Sequence, residues 1–243
     1  MSEPTLKILY EDERFLAVDK DRLLSVHGGQ GIAQDNTLLA HVISHLTQKN
    51  GKPPEFIHPA HRIDLNTRGP VLFAKTLEAA KILTRAFSGG EVLKTYLALV
   101  EGILAESVFV QADIIKSGRK KARVKNLVSW KENIPSRKEW LAGKDRDSRT
   151  ISATLIRPVG NHSDTTTCEV ETWSGRYHQI RAICEAIGHP VCGDTKYNHD
   201  PRHHNHRRTN PMYSLGQMLI CKKLEIPALG ISVESGFEID LAG

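Results

Sequence analysis

Three stretches of the 243-residue chain gather more polar groups than packing needs: His61-Arg62-Ile63-Asp64-Leu65-Asn66-Thr67-Arg68-Gly69, Lys94-Thr95-Tyr96-Leu97-Ala98-Leu99-Val100-Glu101-Gly102 and Gly175-Arg176-Tyr177-His178-Gln179-Ile180-Arg181. Asp64 is a carboxylate in a loop, where the ordinary work of an aspartate is to accept local hydrogen bonds. Glycoside hydrolysis is one chemistry open to it, but that class needs a second carboxyl group about 5–9.5 Å away, and no other Asp or Glu is an obvious mate. Tyr96 lies on a strand that shows Tyr96, Ala98 and Val100 on one face. Taken alone it is half-buried packing with a wet hydroxyl. Arg181, taken alone, is a solvated helix cation. Standard phosphate and nucleophile-elbow motifs are absent, and proline interrupts His58-Pro59-Ala60-His61 as a metalloprotease helix. The loop His199-Asp200-Pro201-Arg202-His203-His204-Asn205-His206 is rich in histidine. A functional zinc needs three or four well-placed ligands, so we expect adventitious binding there and no metal centre.

The elements that must position these residues follow from apolar spacing. Ile8-Leu9-Tyr10 and Phe15-Leu16-Ala17-Val18 flank a polar turn and predict a hairpin. Leu38, Leu39, Val42, Ile43 and Leu46 make a helical stripe behind Asn36 and Thr37, either of which can cap it. A second helix is expected after Thr76, ending at Gly89-Gly90. A third is expected over residues 176–187, stopped by Gly188 and Pro190. Strands are predicted at 92–100, 151–156, 168–173, 218–226 and 231–239. The segment 61–69 reads as a loop, with Asn66, Gly69 and Pro70 as turn formers. Strands outnumber helices without regular β-α-β alternation. The expected fold is therefore α+β, a mixed, largely antiparallel β-sheet core with flanking helices. Residues 1–243 are expected to form a single domain.

Forty per cent of residues are hydrophobic and 25% charged, as in a globular protein rather than a disordered one. No apolar run reaches the 18 or so residues that span a bilayer, and the start carries no export signal, so a cytoplasmic protein without membrane attachment is expected. Lys and Arg number 33 against 28 Asp and Glu, a net charge of +5 that permits a polyanionic partner. Cys168, Cys184, Cys192 and Cys221 contain no Cys-x-x-Cys pair. They are expected to be free, buried and structural.

Taken together, the three stretches resemble the RluA family of RNA pseudouridine synthases. His61-Arg62-Ile63-Asp64-x-x-Thr67-x-Gly69 with Leu72-Phe73-Ala74-Lys75-Thr76 is similar to that family's signature loop, and Lys94-Thr95-Tyr96-x-Ala98-x-Val100-x-Gly102 to its second motif. Gly175-Arg176-x-His178-Gln179-Ile180-Arg181, followed by Ile187-Gly188-His189-Pro190-x-x-Gly193-Asp194-x-x-Tyr197, resembles its third. Ile8-Leu9-Tyr10-Glu11-Asp12, Val18-x-Lys20 and His27 match the usual start of the catalytic domain, and the likeness runs from about residue 6 to 227.

The resemblance implies the pseudouridine synthase catalytic-domain fold and conversion of uridine to its C-glycoside isomer in ribosomal or transfer RNA, by a monomer needing no cofactor or metal. It implies that Asp64 assists cleavage of the N1–C1′ bond, that Arg181 keeps Asp64 ionised, and that Tyr96 meets the uracil. A cation within ~4–6 Å lowers an aspartate pKa by roughly 1–3 units. Arg62 is implied to occupy the stack vacated when the uridine is flipped out. Phosphate contacts are expected from Arg119, Lys120, Lys121, Arg123 and Lys125, and from Arg202, Arg207 and Arg208. Lys223 is a candidate pocket residue. Leu65 stands where the family usually has arginine, Arg68 where it has serine, and Pro70 where a branched apolar residue is common. These departures alter the loop that meets RNA and leave the carboxylate in place. No separate N-terminal RNA-binding domain is expected. The competing class is a non-catalytic RNA-binding relative, which retention of Asp64, Tyr96 and Arg181 argues against.

Overall fold

Two threonines set the first helix starts. Thr37 and Thr76, both in extended backbone, accept hydrogen bonds from Ala40 N and Ala79 N, so each first turn loses one orphaned amide. From them run α1 (Leu38–Asn50) and α2 (Leu77–Gly89), each closed by a left-handed glycine, Gly51 or Gly90. The computed structural model describes residues 6–28, 36–118, 121–143, 150–199 and 216–239. The chain forms two compact units, Met1–Val92 with Cys221–Phe237, and Leu93–Ile220 with Glu238–Gly243.

In the first unit an antiparallel sheet has the order β1 (Ile8–Glu11), β2 (Phe15–Lys20), β4 (Gly69–Ala74), β3 (His58–Pro59). Every residue of β2 and β4 is buried, because both faces of this sheet are covered. Leu16, Val18, Val71 and Phe73 pack with Leu38, Val42 and Leu46 of α1. The alternate residues Phe15, Ala17, Leu72 and Ala74 pack with Ala79, Leu83 and Ala86 of α2. The antiparallel hairpin β10 (Leu219–Ile226) and β11 (Ile231–Glu234) adds Leu224, Ile226, Ile231 and Val233 to this second cluster. Strand β10 begins in the second unit and continues into the first.

The second unit contains β5 (Leu93–Glu101), β6 (Val108–Ser117), β7 (Lys121–Trp130), α3 (Arg137–Gly143), β8 (Ile151–Asn161), β9 (Thr165–Thr172) and α4 (Gln179–Ala186). Its strands pair antiparallel in the order β5-β9-β8-β6-β7. Phe109, Trp140, Ala153, Leu155 and Trp173 form an aromatic core.

The α+β class, the opening hairpin, the first two helices and the expected strands are present, the last strand ending at Glu234 rather than 239. Two local expectations need correction, and further elements appear. The third helix starts at Gln179, not near 176, because His178 sits at φ 54, a left-handed conformation a helix interior does not accept. The Gln179 side chain folds back to accept from Ser174 Oγ and Arg176 N, which holds the preceding turn. Strands β6 and β7, the second carrying Lys121, Arg123 and Lys125, are additional. Gly69 and Pro70 open β4 instead of closing a loop, and α3 is additional. All four cysteines are free and buried; burial pushes the Cys168 thiol up to about 12. Among the described residues, no helix is long and apolar enough to cross a membrane.

Candidate active site

Asp64 is placed by its neighbours' burial. Along 61–64 the chain alternates: Ile63, 8% exposed, enters the α1-side core, whereas Arg62 is exposed and Asp64 half-buried. His61 Nε2 accepts from Leu72 N at 3.1 Å, and its ring stacks on Phe87 of α2 at 4.9 Å. A turn then closes through Thr67 N to Asp64 O at 3.1 Å, with Thr67 itself buried. Gly69, the first residue of β4, has φ 126, and a Cβ there would collide with the Cys221 carbonyl oxygen, so only glycine allows the close passage beside β10. Cys221 N donates to Arg68 O at 2.8 Å in the same place.

The backbone after Asp64 is fastened by Lys20. This residue ends β2 with no solvent exposure, and its ammonium donates to Asp21 O at 2.8 Å, Leu24 O at 3.0 Å and Leu65 O at 3.1 Å. Burial draws its pKa down to about 7, against the opposing pull of the Asp21 and Asp64 charges. A folded-state value below the ordinary 10.5 means that the folded chain holds fewer protons between those two limits. The stability burden of burying this charge is therefore full below about pH 7 and is relieved as pH rises through that window. Lys20→Met strips the donor from three carbonyls, and each orphaned buried acceptor costs about 1–3 kcal/mol. The expected result is a melting temperature lower by about 2–4 °C for each kcal/mol lost. An unchanged thermal denaturation curve would show that the carbonyls are satisfied some other way.

In the second unit, Tyr96 lies mid-strand on β5 opposite Val170 of β9 and is 9% exposed. Arg181 projects from the first turn of α4 and is 6% exposed. Its Nε donates to Asp194 Oδ2 at 2.6 Å and a terminal nitrogen to Oδ1 at 2.9 Å, a bidentate fork. Asp194 also accepts from Lys196 N and Tyr197 N. Burial works to raise the Asp194 pKa, but the Arg181 hydrogen bond and charge, with the two amides, outweigh it and hold the carboxyl below its usual range. The Tyr197 ring lies 5.0 Å from the Arg181 guanidinium, and its hydroxyl accepts from Ala122 N and bonds His178 Nδ1 at 3.0 Å. Buried Asn198 donates to buried Glu101 at 2.6 Å, tying this segment to β5. Arg181 is thus a braced cation rather than a solvated one.

The other sequence candidates fall as follows. Arg123 and Lys125 are exposed on β7, and Lys121 lies 3.6 Å from Glu185 and 5.0 Å from the Tyr197 ring. Lys223 pairs with Glu225 at 2.8 Å, which raises its pKa. Arg119, Lys120, Arg202, Arg207, Arg208 and the histidine loop from 200 onward lie outside the described residues. Among the described residues, no three His, Cys, Asp or Glu side chains cluster as metal ligands. Lys20, Asp194 and Tyr197 went without a role in the sequence reading although they sit inside its motifs. Their partners are remote or on other elements, and only the motif spacing hinted at them.

Residues 14–186 match the family model described as RNA pseudouridylate synthase. The chain is 34% identical over 192 residues to the ribosomal large subunit pseudouridine synthase D of Nitrosomonas europaea, covering 79% of this chain but only 49% of that protein. It is 32% identical over 197 residues to the dual-specificity RNA pseudouridine synthase RluA of Pasteurella multocida, covering 81% and 78%. In structure it is similar to human RNA pseudouridylate synthase domain containing 4, with a TM-score of 0.73 at 18% identity over 97% of this chain and 89% of that one. Human RNA pseudouridylate synthase domain containing 1 gives a TM-score of 0.68 at 22% identity, covering 98% and 86%. With the signature loop, the strand tyrosine and the braced arginine in one chain, the match over most of its length settles its kinship: the chain belongs to the RNA pseudouridylate synthase family.

Proposed function

We propose that this protein isomerises uridine to pseudouridine at defined positions in ribosomal or transfer RNA, as a cytoplasmic monomer. The observation that carries the reading is Asp64, held half-buried in an anchored turn in a chain of this family. The relatives' names point to large-subunit ribosomal RNA in one case and to dual specificity in the other.

The reaction breaks N1–C1′, turns the uracil, forms C5–C1′, and moves one hydrogen from C5 to N1, so atoms balance without an external reactant. A turnover near 1 per second corresponds to a barrier of roughly 17 kcal/mol, so glycosidic cleavage needs strong assistance. Asp64 supplies it as an ionised carboxylate at the ribose, by attack or by stabilising positive charge there. Arg181, oriented by its fork with Asp194, is the cation assigned to the reaction, and Tyr96 meets the uracil. Arg62 fills the stack left by the flipped base. Arg119, Lys120, Lys121, Arg123 and Lys125 contact phosphates, and each phosphate neutralised on a single strand contributes about −0.7 to the slope of log K against log salt. Lys223, on β10, lines the pocket.

The test is direct. Purified protein is incubated with in vitro transcribed large-subunit ribosomal RNA and with transcribed transfer RNAs, and pseudouridine is mapped by mass spectrometry. A single modified uridine supports the reading; no pseudouridine in either RNA removes it. Tyr96→Phe is expected to lower turnover by about tenfold, roughly 1.4 kcal/mol of barrier, with RNA affinity kept. Unchanged turnover would reduce the hydroxyl to a packing accessory.

A further inference from the structure

Leu23 carries two penalties that the free protein does not recover. Its backbone is left-handed at φ 60, a conformation that costs a non-glycine residue roughly 1–2 kcal/mol. Its side chain is 74% exposed, so burial returns little. Strain of this kind persists where the surroundings over-determine it, and it clusters at ligand-binding sites. The surroundings here are explicit. Asp21 Oδ1 accepts from Arg22 N at 2.7 Å and from Arg68 Nε at 2.8 Å, while the carbonyls of Asp21 and Leu24 sit on the Lys20 ammonium. The third carbonyl on that ammonium belongs to Leu65, which directly follows Asp64; Leu65 is itself 48% exposed. One buried cation therefore locks together two loops that each present an exposed leucine, one of them adjacent to the proposed catalytic carboxylate. Half-buried Arg22 and Arg68 flank the pair, and Arg62 is exposed at the start of the same loop. Apolar side chains bordered by guanidinium groups complement a nucleic acid strand, which offers flat base faces between phosphates.

We infer that Leu23 and Leu65 form an apolar clasp for the RNA bases flanking the target uridine, holding them unstacked while that nucleotide is extruded. The clasp rests on the proposed pseudouridine synthase activity and deepens it, since it gives this chain a contact that selects RNA with bases free to leave the stack. Leucine side chains wedged against base steps are an established means of keeping a strand open.

The variants Leu23→Gly and Leu65→Ser test it. Glycine adopts φ 60 without penalty, so Leu23→Gly should melt no lower than wild type, and any loss of RNA contact cannot be ascribed to misfolding. The probe is in vitro transcribed large-subunit ribosomal RNA and transfer RNA carrying tritium at uridine C5. Tritium release gives KM and kcat, and filter binding of the same RNAs gives Kd without turnover. Each variant is expected to raise KM and Kd by about fivefold or more, with the larger share of the loss in KM, as for a contact made equally in ground and transition states. Wild-type KM and Kd in both variants would overturn the clasp. Absence of tritium release from the wild type would instead remove the isomerase reading, and weakened filter binding would still support the RNA contact.

Discussion

Asp64→Asn is expected to abolish pseudouridine formation while the protein still folds and binds RNA. The amide has the size and shape of the carboxylate but carries no negative charge, so it can neither attack C1′ nor stabilise positive charge there. A loss of about 4 kcal/mol of transition-state stabilisation corresponds to roughly a thousandfold in rate. The fold should not suffer, because the turn is held elsewhere. Ile63 is anchored in the core, Thr67 is buried, the Thr67 N to Asp64 O bond is main chain, and Leu65 O rests on Lys20. Parallel measurement of tritium release, filter binding and melting temperature separates the outcomes. Product from the variant at more than about a tenth of the wild-type rate would take the chemistry away from this residue. A collapsed melting curve would make Asp64 a structural residue of the loop.

The second large effect is expected from Asp194→Ala. The Arg181 guanidinium is 6% exposed and loses both hydrogen bonds of its fork with this change. Removing one partner of a buried pair typically costs about 3–5 kcal/mol, because the remaining charge is left in a poorly solvated place. For a chain of this size that is roughly 10 °C in melting temperature. The pH dependence has a definite sign. The Asp194 pKa is held below its ordinary 3.8 in the folded protein, so its contribution is fully present above about pH 3.8 and disappears as pH falls through the lower folded value. The wild type should therefore lose its advantage over the variant only under strongly acidic conditions. Equal melting temperatures at pH 7 would mean that Arg181 is satisfied without Asp194. Turnover should fall as well, since a guanidinium that has lost its fork no longer holds one orientation.

Much of the scaffold was legible because its causes are local. Thr37 and Thr76 cap α1 and α2, Gly90 closes α2 in a left-handed conformation, and apolar spacing marks the faces that pack on β2 and β4. The motif order likewise singled out Asp64, Tyr96 and Arg181. Local reasoning misjudged the start of α4, because His178 is left-handed and bonds Tyr197 nineteen residues later. It also did not reveal the β6–β7 hairpin, whose exposed, basic β7 lacks the apolar alternation of a half-buried strand.

What the amino-acid order determined by itself, then, was the caps of α1 and α2 and the apolar faces those helices bury. These depend on contacts within a few positions. Only the tertiary structure decided which groups brace them: Lys20 reaches Leu65 across 45 residues, and Arg181 reaches Asp194 across 13. A buried charge has to find its partners in space, and nothing in the local pattern of a lysine or an aspartate states which carbonyl or guanidinium will be brought within hydrogen-bond distance of it.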